Sequence, residues 1–247
     1  MNDLGEPPVD LLRGGSLFLD FDGTLVDLAP TPDAIQVSIA LRELLVRLNY
    51  CLSGRVALLS GRSVSDLLGH LHPVTLTMAG SHGLERARLG EEIVAPAIPD
   101  TLSEAVNVLR SVQAHYPGVL IEEKPFGVAV HFRLAPEAEE ACRFAASEVA
   151  NQTGMVVQPG KMVFELKPSD GTKGGALRSF MAEPPFVTTR PVFLGDDLTD
   201  EHGFEAAIDL GGTGVLVGDE RATAAIYRLP NVRAARDWLN AACEALA

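Results

Sequence analysis

Ser16-Leu17-Phe18-Leu19-Asp20-Phe21-Asp22-Gly23-Thr24-Leu25-Val26-Asp27 begins as an apolar run and breaks into carboxylates, a glycine and a threonine. A short apolar run bounded in this way suits a strand buried on both faces, as in parallel sheets covered by helices. Ligands of such sheets bind beyond the carboxyl ends of the strands, which puts Asp20 and Asp22 at the mouth of a site. Residues two apart on an extended chain point the same way, so both carboxylates share a face if strand geometry persists through Phe21. Gly23 permits a sharp turn there, and Thr24 adds a hydroxyl and an N–H. Two acids at a strand end repel unless they share a cation or a proton, so the pair calls for a divalent metal or a raised pKa. One carboxylate can then attack phosphorus while the other moves protons. The same residues also make an ordinary polar turn, and the rest of the chain has to choose between the two readings.

The pattern of strand, small polar tip and helix recurs downstream. Pro30 and Pro32 punctuate a loop, and Leu41, Leu44, Leu45 and Leu48 then follow helical spacing. Arg55 to Leu59 is a second buried strand that ends in Ser60-Gly61-Arg62, and Ser63 with Asp66 opens a helix carrying Val64, Leu67, Leu68 and Leu71. Thr75 to Ala79 is a third strand, followed by Gly80-Ser81-His82-Gly83-Leu84-Glu85. This alternation predicts an α/β fold with a doubly wound parallel sheet. From Ala95-Pro96-Ala97-Ile98-Pro99 onward the order changes. A helix through Leu102, Ala105, Val106, Leu109 and Val112 leads to two strands, 119–122 and 128–133. Lys124-Pro125-Phe126-Gly127 between them reads as a hairpin turn. A helix through Ala138, Ala141, Cys142, Ala145 and Val149 and strands through Met162 to Leu166 complete a helix, strand, strand repeat. Residues 97–168 are therefore expected to form a small α+β domain inserted into a core made of 1–96 and 169–247. The parallel signature returns with Pro191 to Leu194, ending in Gly195-Asp196-Asp197, and with Val215 to Val217.

Composition narrows the partners. The 247 residues are 47% hydrophobic, ample for a buried core, and carry a net charge of −13, which disfavours nucleic acid and anionic membranes. Cys51, Cys142 and Cys243 lack metal-ligand spacing, and their odd number argues against a disulfide framework. The N-terminus has neither a basic nor an apolar leader region, and no apolar segment approaches a membrane span, so a cytoplasmic location is expected; a monomer is expected as well.

Three more clusters fall at strand ends or helix starts. The Ser60 hydroxyl and the N–H groups of the following turn could hold phosphate oxygens. Lys173, within Gly171-Thr172-Lys173-Gly174-Gly175, could neutralise a phosphoryl group. Gly195-Asp196-Asp197-Leu198-Thr199-Asp200-Glu201 offers carboxylates to an oxygen-loving cation, with Asp200 and Glu201 read as outer supports for the ligands. Each alone is also a common turn or helix start.

In order and spacing, Asp20-Phe21-Asp22-Gly23-Thr24, Ser60, Lys173 and Gly195-Asp196-Asp197 resemble the four motifs of the haloacid dehalogenase superfamily of aspartate-nucleophile phosphatases. That resemblance implies a Rossmann-like core with the insertion acting as a cap. Six blocks are similar to those of the trehalose 6-phosphate phosphatases. They are Leu19 to Leu25, Leu59 to Arg62, Ala79 to Glu85, Glu122 to Arg133, Gly160 to Glu165 and Gly195 to Glu201. This narrower resemblance implies Asp20 as nucleophile, Asp22 as acid and base, and Ser60 and Lys173 as holders of the phosphoryl oxygens. It implies Mg2+ on Asp20, Asp196 and the Asp22 backbone carbonyl, and Glu122, Lys124 and Glu165 as binders of trehalose 6-phosphate. The core motifs by themselves fit a sucrose-phosphate phosphatase or a phosphosugar mutase equally well, and a non-catalytic phosphosugar-binding module stays open. His82 is balanced between touching sugar and bracing its loop. His131 is expected to be a packed or hydrogen-bonded core histidine, and Arg133 to reach the substrate or form an ion pair.

Overall fold

The computed structural model describes residues 4–29, 31, 34–98, 100–168 and 171–246. Pro30 and Pro32, read above as loop punctuation, and Pro99, at the change of order, lie outside them. The chain divides into two compact units, Met1–Val94 with Thr172–Ala247, and Ala95–Gly171.

The first unit holds β1 (Gly15–Leu19), α1 (Ile39–Cys51), β2 (Val56–Leu59), α2 (Val64–Leu71), β3 (Thr77–Gly80) and β4 (Glu85–Ala87). The second contributes α3 (Leu102–His115), β5 (Leu120–Lys124), β6 (Gly127–His131), α4 (Glu139–Thr153), β7 (Val156–Gly160) and β8 (Val163–Lys167). The first unit then resumes with α5 (Lys173–Met181), β9 (Arg190–Gly195), α6 (Glu201–Asp209), β10 (Thr213–Val217), β11 (Tyr227–Leu229) and α7 (Val232–Leu246).

Seven strands of the first unit form one sheet in the order β11-β10-β9-β1-β2-β3-β4. All neighbours are parallel except β3 and β4. The burial of the central strands follows the period of the strand itself. Leu17, Leu19, Val56, Leu58, Val192, Leu194, Val215 and Val217 enter one core with α1, α2 and α7. Phe18, Ala57, Leu59, Phe193 and Leu216, one residue out of phase, enter a second core with α5 and α6. Helices on both faces explain why these strands read as apolar runs. The short antiparallel edge strand β4 departs from the all-parallel expectation. Ser63 caps α2 by accepting the Asp66 N–H at 3.2 Å, as its spacing predicts. The three cysteines are free, and Cys51 on α1 meets Cys243 on α7 with the sulfurs 3.2 Å apart.

The second unit is a four-stranded antiparallel sheet, β5-β6-β8-β7, with α3 and α4 packed on one face. Lys124 pairs with Gly127, so Pro125-Phe126 is a two-residue hairpin loop. Val128, Val130, Phe164 and Leu166 face the helices. The pairing register sets Glu122, Ala129, Glu165 and Gln158 in one row across the opposite face. Among the described residues no helix is long and apolar enough to cross a membrane.

Candidate active site

β1 ends at Leu19, and the Asp20 N–H still donates to the Leu194 carbonyl at 2.9 Å, so Asp20 sits at the last rung of the ladder with β9. The chain then folds back. The Phe21 carbonyl accepts the N–H groups of Leu25 (2.9 Å) and Val26 (3.0 Å). The chain thus turns back on Phe21, between the two carboxylates.

Asp20 is 3% exposed and accepts from Lys173 Nζ at 2.6 Å, and the same ammonium reaches Asp200 Oδ1 at 2.6 Å. Lys173 is the first residue of α5, whose N-cap Thr172 accepts the Gly175 N–H at 3.0 Å. Asp200 is fully buried, and its Oδ2 accepts the N–H groups of Asp196 and Asp197, both at 2.9 Å. Carboxylate oxygens of Asp20, Asp196 and Asp200 lie within 4.8 Å of one another. Gly23, at φ +84°, makes room for this cluster, since a Cβ there would stand 2.1 Å from Asp196 Oδ2.

Three carboxylates and one ammonium leave two surplus negative charges if all are ionised. Burial, reinforced by Asp200, pushes the Asp196 carboxyl up to about 7. Burial also raises Asp20 well above the ordinary carboxylate range; Lys173 opposes this, and Asp200 and Asp196 add to it. Burial alone would lower Lys173, but Asp20 and Asp200 more than reverse it, and the ammonium stays charged. An all-oxygen donor set with a surplus of two negative charges fits a divalent cation such as Mg2+ or Mn2+. Asp200 is already committed to Lys173 and two backbone donors, which leaves Asp20 and Asp196 as the carboxylates with capacity for a cation.

Asp22 takes a different partner. Arg62 grips it with two bonds, Nε to Oδ2 at 2.6 Å and Nη2 to Oδ1 at 2.9 Å. Ser60 follows β2, is 1% exposed, and accepts the Arg62 N–H on its Oγ at 3.1 Å. The start of α2, offered above to phosphate, is otherwise engaged. Its Val64 N–H goes to Glu85 Oε2 at 3.0 Å, and its Asp66 N–H to the Ser63 cap. Glu85 also accepts from Ser81 Oγ at 2.6 Å, holding a loop in which Ser81 (φ 49°) and His82 (φ 56°) adopt left-handed backbone. A Cβ on Gly61 would meet the His82 ring at 2.8 Å, so the histidine is packed against the Ser60 loop and braces it.

In the inserted unit, Lys124 Nζ donates to Glu165 Oε2 at 2.7 Å, and Glu122 Oε2 lies 2.7 Å from His131 Nε2. His131 is thus hydrogen-bonded, as expected, but half-buried on the sheet beside Glu122 rather than in the core. Burial would raise the Glu122 carboxyl, but His131 and Lys124 outweigh it and hold the group below its ordinary range. Arg133 reaches the Lys161 carbonyl at 3.2 Å. Glu201, read above as an outer support of the acidic cluster, instead accepts from Arg221 and from the Ala224 N–H, anchoring the loop that leads to β11. Asp200, read above as an outer support, lies beside the cluster and holds Lys173 and the backbone of Asp196 and Asp197. The sequence reading gave no role to Arg62, for which the arginine after Ser60-Gly61 was the signal.

Residues 18–231 match the family model described as trehalose-phosphatase. The chain is 39% identical over 231 residues to trehalose-6-phosphate phosphatase of Escherichia coli (strain K12), covering 93% of this chain and 86% of that one. A solved trehalose-6-phosphate phosphatase related protein superposes with a TM-score of 0.77 at 28% identity, over 92% of this chain and 96% of its own. The C-terminal domain of Candida albicans trehalose-6-phosphate phosphatase superposes with a TM-score of 0.87 over 99% and 100% of the two chains. At 21% identity, that last likeness speaks for the fold alone.

Proposed function

This chain belongs to the trehalose-phosphatase family, and on that footing we propose that it is a Mg2+-dependent phosphatase that converts trehalose 6-phosphate to trehalose and phosphate through an aspartyl phosphate. The observation that carries the mechanism is Asp20, buried at the end of β1 with Lys173 Nζ 2.6 Å from its Oδ1. Lys173 fixes the carboxylate and leaves its other oxygen to attack phosphorus. As the Asp20–phosphorus bond forms, the bond from phosphorus to the sugar oxygen breaks, and Asp22 supplies that oxygen with a proton. Water then attacks phosphorus, Asp22 takes the proton, and the Asp20 carboxylate leaves with both of its oxygens. Ser60 and Lys173 hold the phosphoryl oxygens. Asp20, Asp196 and the Asp22 backbone carbonyl would hold Mg2+, whose chemistry there is to neutralise charge on the transferred group.

Glu122, Lys124 and Glu165 bind the sugar. The register puts the two glutamates on either side of Ala129, whose small side chain leaves space between them. Carboxylates and an ammonium read hydroxyl stereochemistry through charge-assisted hydrogen bonds.

The test is phosphate release from trehalose 6-phosphate, sucrose 6-phosphate and glucose 6-phosphate, with Mg2+ and after chelation. Release should be confined largely to the first substrate, cease on chelation, and be absent in Asp20→Asn. Equal rates on all three would overturn the substrate, and full release by chelated protein the metal.

A further inference from the structure

Arg62 is fastened at every polar group it has. Its N–H donates to Ser60 Oγ at 3.1 Å, its carbonyl accepts the Ser81 N–H at 2.7 Å, and its side chain is 10% exposed. Nε and Nη2 hold the two oxygens of Asp22, while Nη1 turns away to Asp66 Oδ2 at 2.7 Å. Asp66 lies in the first turn of α2 and is itself placed by the Ser63 cap. A guanidinium tethered at its third nitrogen can neither rotate nor slide, so it fixes the plane as well as the position of the carboxylate it grips. That matters because a carboxylate can pass a proton only when it is aimed at the atom that gives or receives it.

We infer that Arg62 is a positioning residue for the proton transfers. Its guanidinium, anchored by Asp66, fixes the plane and the position of the Asp22 carboxylate from which those transfers are made. The inference rests on the proposed role of Asp22 as acid and base.

A leaving group that departs without a proton does not need this arrangement, and the test uses that difference. Single-turnover rates of leaving-group release, the step that precedes attack by water and the only one in which the substrates differ, are compared for the Mg2+-loaded full chain on trehalose 6-phosphate and on p-nitrophenyl phosphate, whose phenolate leaves unaided. Asp22→Asn should lose on the order of 10²- to 10⁴-fold in that rate on the sugar phosphate and far less on the aryl phosphate. Arg62→Gln should shift the ratio of the two rates in the same direction by roughly tenfold or more, acting on the rate at saturating substrate. Arg62→Lys, which keeps the charge without the fork, should fall between it and wild type, and carries the test alone if Arg62→Gln does not fold. Asp22→Asn combined with Arg62→Gln should be little worse than Asp22→Asn, because the two act through one group. If Asp22→Asn shifts the ratio and both Arg62 variants leave it at the wild-type value, the inference fails and the acid–base role stands. Equal losses on both substrates with raised KM would make Arg62 a phosphate-binding group and overturn it too. If Asp22→Asn itself leaves the ratio unchanged, the role of Asp22 falls, and the inference falls with it.

Discussion

Asp196 concentrates the charge problem of the site in one side chain. Its carboxyl is pushed from the ordinary 3.8 to about 7, burial being the main cause. A folded-state pKa above the unfolded one means that the fold favours the protonated acid. In the metal-free protein the contribution of this group to stability is therefore complete below about pH 4 and is lost as pH rises to about 7, at about 1.4 kcal/mol per pH unit. A divalent cation competes with that proton, so its stabilising effect should grow across the same window. Thermal melts with saturating Mg2+ and with EDTA should diverge more at pH 8 than at pH 5.5, and Asp196→Asn should flatten the dependence. A Mg2+ shift that is the same at both pH values would sink this account. Asp20, Asp22, Ser60, Lys173 and Asp196 were legible in the sequence as residue types at strand ends and helix starts. The contact of Asp200 with Lys173 and that of Arg62 with Asp22 were not, because both depend on where loops fold back, and a turn after Leu19 leaves no mark in the spacing of apolar residues.

At the scale of single elements, the hairpin of β5 and β6 with its neighbour β8 carries the claim about the sugar. Glu122, Lys124 and Glu165 stand on the sheet face away from α3 and α4, each with a charged or titratable partner. Were they only exposed ion pairs, each would contribute at most ~1 kcal/mol to stability and nothing to turnover. As sugar ligands, each changed to alanine should lower kcat/KM for trehalose 6-phosphate by more than tenfold, or more than ~1.4 kcal/mol, with hydrolysis of a small aryl phosphate little altered. Parallel losses on both substrates would show the residues acting through stability and remove the argument for a sugar site. The helices α1 to α4 were readable from periodicity, and Pro125-Phe126 from the residues turns prefer, whereas α7 was not read. β4 and β11 were not, since three-residue strands such as Glu85-Arg86-Ala87 and Tyr227-Arg228-Leu229 hold too little alternation to register.

On the scale of the whole molecule, the order of the sheet has a consequence for how the protein is made. β1 lies between β2, which follows it closely, and β9, which the chain reaches only after the whole of Ala95–Gly171. During synthesis from the N-terminus, the strand that bears Asp20 thus waits beside β2 with its other side open until Arg190–Gly195 leaves the ribosome. An apolar strand held open in this way is a template for wrong partners, and the insertion lengthens the wait. Nascent chains arrested at residue 171 should therefore be protease-sensitive throughout Met1–Val94 and recovered bound to chaperones, whereas chains released at full length should resist both. Arrested chains whose first segment already resists protease would mean that β1 does not wait for β9. The gap in the core is then a demand on the cell as well as a feature of the fold: Asp20 is translated long before the strand that secures it.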